Sequence, residues 1–278
     1  MLVPGDAGFE AACRGFNLAH AFRPDLAVLA GSTGDVVAAV RHARQADLTV
    51  HVQSTGHGYP HQAHGGMLVN TSAMQSLALD PQRRSARVGA GVRWERVIEE
   101  AAPHGLAPLN GSSPDIGVIG YTLGGGMGPM GRTFGFAADR VRGIQLVTAD
   151  GSLVEVTAES EPELFWALRG GKCAVGIVTE LEFDLVSVPH VYGGAVFFAG
   201  ADAPAVMHAY GAWAPALRSR PPRPSPCSGC PTTSWSRRRC AGSSPSTCAM
   251  SMSATRRPGP RCWNPCAGRA SRSWTWWA

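Results

Sequence analysis

The sequence predicts a mixed fold of the α+β class for residues 1–217 of the 278. Three local patterns support this prediction. The first is a strand–helix–strand unit: apolar runs at Leu26–Ala30 and Leu48–Val52 flank a helix whose start is marked by Ser32 and Asp35, spaced as a capping box. The second is a hairpin at Asp150-Gly151. The third is a strand at Gly176–Val186 that alternates acidic and apolar residues.

The remaining elements follow in chain order. Further segments are predicted as a short entry helix near 9–14, strands at 67–71, 76–80 and 85–89, a helix from Trp94 to about His104, a turn-rich loop at 109–117, a glycine-rich stretch at 120–135, a hairpin of strands 143–149 and 152–158, a helix at 161–169, and a final strand and helix at 191–198 and 203–217. We find no internal repeat in residues 1–217.

The first glycine turn, Gln53–Gly58, directly follows the strand Leu48–Val52. Its small residues allow a sharp bend that turns several backbone N–H groups toward one point, and such a concavity suits an anion such as a phosphate. His57 lies in the middle of the turn. The alternative is an ordinary turn that contains a histidine with no special role.

A second glycine-rich stretch, Leu123–Gly128, overlaps a G-x-G-x-x-G pattern at Gly126–Gly131. Together with the residues from Gly117 that precede it, this stretch is called the second glycine turn below. Three interpretations remain open. The pattern fits a dinucleotide-binding βαβ fingerprint, but Pro129 lies inside it and no helical apolar period follows. A tightly packed structural turn is the second interpretation. Close approach of the backbone to a flat or phosphorylated ligand is the third, because consecutive residues without Cβ permit it.

The charge divides the chain into a body and a tail. Residues 218–278, here called the tail, carry 11 Arg and no acidic residue, whereas residues 1–217 carry 14 basic and 20 acidic residues. The tail also lacks Leu, Ile, Val, Phe and Tyr, so it cannot bury enough apolar surface to offset the entropy of ordering. We therefore expect a disordered tail, and we interpret its composition as an out-of-frame reading of a GC-rich gene.

Metal, nucleic acid and membrane are not favoured as partners. Cys227, Cys230, Cys262 and Cys266 allow a remote alternative in which a zinc site in the basic tail binds nucleic acid. His57, His61 and His64 lack a nearby carboxylate or thiol to complete a metal site. The body has two cysteines, and no export signal or apolar segment long enough to span a bilayer is evident, which favours a cytoplasmic protein.

An ordered series of motifs resembles one family. The series comprises Pro4-Gly5-Asp6, Asp35–Val40, Ser54-Thr55-Gly56-His57-Gly58, Gly89–Trp94, Asn110–Pro114, Gly120–Gly126, Gly135–Asp139, Leu164–Gly171 and Gly176–Thr179. The chain resembles the FAD-linked oxidases of the vanillyl-alcohol-oxidase type, also called PCMH-type, and is most similar to bacterial berberine-bridge-enzyme-like proteins. The resemblance spans about residues 1–217.

The resemblance implies an organisation and a site. It implies a PCMH-type FAD-binding domain of two α/β subdomains at 1–190, the start of a substrate domain at 191–217 and the tail at 218–278. It makes His57 the residue bonded to the flavin 8α carbon. The implied FAD contacts are Gln53, Ser54, Thr55, Gly56, His57, Gly58, Ser112, Ser113, Gly117, Gly120, Thr122, Gly124, Gly125, Gly126, Gly176 and Val178. Ser113 stands where many relatives have a second, cysteinyl link, so one covalent attachment at most is expected.

The implied activity is hydride transfer from a small organic substrate to the flavin, followed by reoxidation, commonly by O₂. In the family the substrate-side base is often a Tyr or Glu of the second domain. The tail contains neither residue, so no catalytic base is predicted and the activity is expected to be impaired. The alternative is a non-catalytic remnant that binds flavin weakly or not at all.

Overall fold

The computed structural model describes residues 1–18, 22–58, 63–172, 175–216 and 247–253, and the chain divides into two compact units, Met1–Pro189 and His190–Ala278. The helices of the first unit are α1 Phe9–Cys13, α2 Thr33–Gln45, α3 Trp94–Ala101, α4 Val118–Thr122, α5 Gly131–Phe134 and α6 Pro162–Gly171. Its strands are β1 Phe22–Arg23, β2 Leu26–Leu29, β3 Val50–Gln53, β4 Ala63–His64, β5 Met67–Asn70, β6 Leu77–Asp80, β7 Ser85–Gly89, β8 Val141–Thr148, β9 Leu153–Thr157 and β10 Gly176–Asp184. The second unit contains β11 Gly193–Ala199, α7 Ala203–Trp213 and β12 Thr247–Ser253.

A three-stranded parallel sheet in the order β2-β5-β3 forms the first layer of the first unit. The predicted strand–helix–strand unit is confirmed, with β5 inserted between its two strands. All four residues of β5 are buried, as expected of the central strand of a parallel sheet. The carboxyl end of β3 leads directly into the first glycine turn.

Helix α2 begins at the predicted capping box. The Ser32 hydroxyl accepts a hydrogen bond from the Asp35 amide at 3.2 Å, and the Asp35 carboxylate accepts one from the Ser32 amide at 3.0 Å. These bonds satisfy amides that a helix start otherwise leaves unpaired. The buried face of α2 consists of Val36, Ala39, Val40 and Ala43.

A five-stranded antiparallel sheet in the order β6-β7-β10-β8-β9 forms the second layer. The predicted hairpin is confirmed: β8 and β9 pair around Asp150-Gly151, and Gly151 adopts a positive φ of 79°. The alternation in β10 is also confirmed, since Leu181 and Phe183 are buried while Glu180 is half-buried and pairs with Arg87 at 2.7 Å.

A common hydrophobic core joins the two sheets. Trp94 is 1% exposed, and its ring contacts those of Tyr121 and Phe183 edge-on, each at a centroid distance of 5.6 Å. Helix α2 is linked to the five-stranded sheet by a hydrogen bond of 3.0 Å from Thr33 Oγ1 to Gln145 Oε1. The shared core holds the glycine turns in a fixed relation to each other.

The structure differs from the sequence prediction in the glycine-rich stretch, in the tail and in the short parallel pair of β1 and β4, which was not predicted. The stretch 120–135, predicted as an irregular glycine-rich segment, contains the end of α4 and all of α5. Local contacts such as the bond from Thr122 Oγ1 to the Val118 carbonyl at 2.8 Å stabilise these short turns.

The second difference lies in the tail, where Thr247–Ser253 forms β12, antiparallel to β11. For these seven residues the structure departs from the predicted disorder. Their sequence, TCAMSMS, alternates Cys and Met with small residues, and this period of two favours a strand even without branched aliphatic side chains. Residues 217–246 and 254–278 lie outside the described residues. No helix in the described ranges is both long enough and apolar enough to span a bilayer.

Candidate functional site

The first glycine turn is held against the segment that follows α1. The Phe16 amide donates to the Thr55 carbonyl at 3.0 Å, and the Asn17 amide donates to the Gly56 carbonyl at 3.2 Å. Gly56 has a φ of 69°, and a Cβ placed on it would lie only 2.4 Å from Gly15 Cα. A side chain at position 56 would therefore break this contact.

His57 is fixed on two sides. Its Nδ1 lies 2.9 Å from Thr55 Oγ1, and its ring stacks on that of Phe16 with a centroid distance of 3.9 Å and an interplanar angle of 11°. The other ring nitrogen, Nε2, is buried and has no hydrogen-bond partner within the described part of the chain. When Nδ1 carries the proton and donates it to Thr55, the lone pair of the imidazole lies on Nε2.

The surroundings of His57 favour the neutral imidazole. Desolvation lowers the pKa of His57, and the positive charge of Arg93 lowers it further. The carboxylate of Asp115 opposes both effects. The result is an imidazole that stays unprotonated to a lower pH than a free histidine, and a neutral imidazole is the nucleophilic form.

The two glycine turns meet directly. A Cβ on Gly117 would lie 3.4 Å from Ser54 Oγ and 3.6 Å from Thr55 Oγ1. A backbone bridge between Arg93 and Gly117 fixes the second turn at this point. Ser54 Oγ, like His57 Nε2, is buried without a hydrogen-bond partner among the described residues.

The side chain of Lys172 lies close to both glycine turns, at Gly124 of the second and Gly58 of the first. A Cβ on Gly124 would lie 2.6 Å from Lys172 Cε, and one on Gly58 would lie 3.3 Å from Lys172 Nζ. The backbone of this lysine is tied to the second turn, because its amide donates to the Leu123 carbonyl at 3.2 Å. Its side chain therefore runs along Gly124 and ends beside Gly58.

Two predicted contact residues have structural partners for their side chains. Gln53 is 3% exposed, and its Nε2 donates to the Arg14 carbonyl at 3.2 Å. Thr122 is 1% exposed and donates its hydroxyl proton to Val118. These two side chains stabilise the turns through hydrogen bonds to backbone carbonyls of the protein. Any contact of Gln53 or Thr122 with a ligand is therefore expected to come from the backbone.

The glycines of the second turn divide into two kinds. A Cβ on Gly126 would lie 2.6 Å from Tyr121 Cε1 and 2.8 Å from Ala137 Cβ, so Gly126 is required by packing. Burial raises the pKa of this Tyr121 to about 12. Gly120 and Gly125, in contrast, have open space at the Cβ position. These two glycines leave open space beside the backbone of the turn.

Among the described residues, no contact with the first glycine turn or with Lys172 is observed for four of the predicted FAD contacts, Ser112, Ser113, Gly176 and Val178. Gly176 and Val178 pair with Thr148 and Leu146 inside the five-stranded sheet, where a Cβ on Gly176 would lie 2.4 Å from the Val147 carbonyl oxygen. Sheet packing thus explains that glycine. Ser112 is exposed and Ser113 is half-buried in the loop before Gly117. Their contacts with a cofactor stay predictions.

Sequence reasoning missed the four residues that surround His57 and the turns from other elements: Phe16, Arg93, Asp115 and Lys172. None of them lies in either glycine turn, and tertiary structure brings them close. Arg93 lies in the motif Gly89–Trp94, Asp115 lies in the predicted loop 109–117, and Lys172 is the one lysine among 25 basic residues, but none of these signals indicated proximity to His57. The described residues contain no group of three His, Cys, Asp or Glu side chains that could hold a metal, and His61 lies outside them.

Comparison with known proteins identifies the domain. Residues 24–157 match the family described as FAD binding domain. Over 192 residues the chain is 37% identical to (R)-6-hydroxynicotine oxidase of Paenarthrobacter nicotinovorans, a match that spans 68% of this chain and 42% of that protein. It is 32% identical over 181 residues to glucooligosaccharide oxidase of Sarocladium strictum, spanning 63% of this chain and 36% of the relative. The chain thus spans less than half the length of these two curated relatives.

Solved structures agree with these relatives. The crystal structure of 6-hydroxy-D-nicotine oxidase from Arthrobacter nicotinovorans superposes with a TM-score of 0.69 at 34% identity, over 74% of this chain and 47% of that one. Glucooligosaccharide oxidase from Acremonium strictum, described as carrying a 6-S-cysteinyl, 8α-N1-histidyl FAD, superposes with a TM-score of 0.67 at 28% identity, over 76% and 46% of the two chains. Residues 24–157 therefore match an FAD binding domain, and the part of the chain that these matches span is similar to FAD-linked oxidases, as the resemblance to the vanillyl-alcohol-oxidase type predicts.

Proposed function

We propose that the unit Met1–Pro189 binds FAD between the two glycine turns and that His57 bonds covalently to the 8α carbon of the flavin ring. The new N–C bond would replace a C–H bond of the 8α methyl group, and O₂ would accept the two electrons and two protons released. The observation that carries this proposal is the buried Nε2 of His57, which has no protein partner in the described part of the chain. A buried polar atom without a partner costs free energy unless a ligand satisfies it. FAD bonded at this nitrogen would remove that cost.

The residues present fit a dinucleotide. The unpaired hydroxyl of Ser54 supplies an uncommitted donor where Ser54 and Thr55 meet Gly117, and Gly120 leaves open space beside its backbone. Backbone N–H groups in such a concavity suit a diphosphate. Ser113 stands in place of a cysteine, so the proposed attachment is single.

The proposed activity is oxidation of a small organic substrate. Bound FAD would supply the redox chemistry, accepting a hydride from a substrate C–H bond and passing the electrons to O₂. The chain's own contribution is to hold His57 neutral, to orient it through Thr55 and to shield it with Phe16. The names of the relatives support an amine or a carbohydrate as the substrate class.

The test is the absorption spectrum of the purified, denatured chain. Flavin absorbance that stays with the denatured polypeptide is expected of the parent, and a His57→Ala variant should release its flavin on denaturation. His42→Ala, which removes an exposed histidine from α2, is the matched control and should retain the bond. Retention of flavin by denatured His57→Ala would disprove the attachment. A parent that neither contains FAD nor takes it up would disprove the function.

A separate prediction concerns which imidazole nitrogen of His57 bonds to the flavin. Because Thr55 occupies Nδ1, we expect the attachment at Nε2, and NMR of the purified flavin peptide would distinguish the two isomers. A bond at Nδ1 would show that His57 gives up its contact of 2.9 Å with Thr55 Oγ1 when the flavin is attached.

A second candidate function is a non-catalytic flavoprotein. The chain spans 42% of the length of (R)-6-hydroxynicotine oxidase, and a measurement of turnover separates the two candidates. Hydrogen peroxide release from the flavin-loaded chain with amine and oligosaccharide substrates would favour the oxidase. Stable flavin with no peroxide from any of them would favour the second candidate.

A further inference from the structure

Lys172 is the one lysine of the chain, and the covalent chemistry proposed for His57 does not use it. We propose that its ammonium group binds the diphosphate of the dinucleotide and thereby contributes to the affinity for FAD. This inference rests on the proposed function, because it concerns the same cleft. It adds a charged ligand contributed by neither glycine turn.

The position of the side chain is the first argument. Its stem lies along Gly124, where a Cβ would approach Cε to 2.6 Å, and its Nζ reaches Gly58, the residue after His57. The ammonium therefore lies at the opening between the turns. Phosphate is the group expected there, because a lysine ammonium beside a glycine turn is a donor that favours an anion.

The absence of a competing partner is the second argument. Within the described residues no carboxylate forms a salt bridge with Lys172. By comparison, the cations of the five-stranded sheet are paired, such as Arg87 with Glu180 and Arg142 with Asp184. The charge of Lys172 is therefore available to a ligand.

The backbone is the third argument. Lys172 has a φ of 47°, in the left-handed region that glycine adopts without cost, and it is one of three non-glycine residues with positive φ in the described part of the chain. Hydrogen bonds from the amides of Gly170 and Lys172 to the Leu123 carbonyl, at 2.8 and 3.2 Å, keep it there. A lysine held at a position that suits glycine agrees with a role for its side chain in binding.

The experiment measures FAD affinity in a His57→Ala background, where binding is reversible. Lys172→Met keeps much of the stem and removes the charge, and we expect it to weaken FAD binding on the order of tenfold. Lys172→Met should also reduce the slope of log Kd against log salt concentration, because an ionic contact is lost. Lys172→Arg should retain most of the affinity. Arg44→Met, which removes an exposed charge from α2, should change neither quantity.

Lys172→Gly separates binding from folding. Glycine adopts the same φ without strain, so this variant should melt at the parent temperature or above while it binds FAD as weakly as Lys172→Met. A purely structural lysine would lower stability and affinity together. The same comparison keeps the test valid if Lys172→Met folds poorly.

The outcomes distinguish this proposal from the proposed function. Equal FAD affinity and equal salt dependence in the parent background and in Lys172→Met or Lys172→Gly would overturn the role of Lys172 alone. A shifted absorption maximum of the bound flavin in these variants would also overturn it, because it would place the ammonium at the ring instead of the phosphates. A parent background that does not bind FAD would overturn both proposals.

Discussion

At the scale of single residues, the environment of His57 comes from four separate segments. Thr55 holds Nδ1, Phe16 lies on the ring face, and Arg93 and Asp115 act through their charges. Desolvation and Arg93 lower the pKa of His57, and Asp115 partly reverses this effect. The imidazole is therefore tuned by two charges of opposite sign.

We predict opposite effects from removing these two charges. Arg93→Gln should raise the pKa of His57, because it removes a positive charge that disfavours the imidazolium ion, and Asp115→Asn should lower it further. As the pH is lowered, attachment of FAD should therefore begin to fail at a higher pH in Arg93→Gln than in the parent. In Asp115→Asn it should begin to fail at a lower pH than in the parent. NMR titration of His57 in the apoprotein, together with flavin content across pH, measures both effects.

The control for this pair is Arg44→Gln on the exposed face of α2, which removes the same charge as Arg93→Gln. It should leave the titration of His57 unchanged. Shifts of the same sign in Arg93→Gln and Asp115→Asn would contradict the electrostatic explanation and point to a general loosening of the turn.

At the scale of elements, the second glycine turn combines packing and access. Gly126 is closed in by Tyr121 and Ala137, whereas Gly125 has no atom within 4 Å of a Cβ position, although both adopt positive φ, 71° and 96°. Adjacent glycines in one turn are thus required for different reasons. One lets the turn approach the core, and the other leaves its outer side open.

We predict that alanine is tolerated very differently at these two positions. Gly125→Ala should cost about 1–2 kcal/mol of unfolding free energy from the left-handed backbone alone. Gly126→Ala should cost about 1–3 kcal/mol more, because its Cβ would overlap Tyr121 and Ala137. Urea unfolding of the two variants measures the difference, and equal losses would show that Tyr121 moves aside freely.

At the scale of the whole molecule, the residues proposed to bind FAD lie in the unit Met1–Pro189. The core around Trp94 joins both sheets of that unit and fixes the two turns. The unit His190–Ala278 supplies none of the proposed contacts. Binding of the cofactor is therefore expected not to require the unit His190–Ala278.

We predict that limited proteolysis between the two units leaves the flavin on the N-terminal fragment. The flavin-loaded chain should yield a fluorescent fragment of about residues 1–189 on a denaturing gel, since His57 is in that fragment. A His57→Ala sample treated in the same way should yield a fragment of the same size without fluorescence. Fluorescence on the C-terminal fragment would contradict both the division into units and the attachment site.

Much of the fold was predictable because its signals are local. The capping box of Ser32 and Asp35, the hairpin at Asp150-Gly151 and the alternation of β10 all depend on neighbours within a few residues. The short helices α4 and α5 were not predicted, because their sequences lack a helical apolar period and their stability comes from contacts such as that of Thr122 with Val118.

The sequence by itself determined the two glycine turns, the histidine in the first of them and the order of motifs that marks the family, because these are properties of residue type and spacing along the chain. Only the tertiary structure decided that Ser54 and Thr55 contact Gly117, that Lys172 reaches Gly58, and which nitrogen of His57 is left without a partner. The first two contacts join segments separated by 60 to more than 100 positions, whereas the bond between His57 and Thr55 spans two positions in a turn whose shape the fold decides. Such pairs are fixed by the packing of the shared core, which no local pattern encodes.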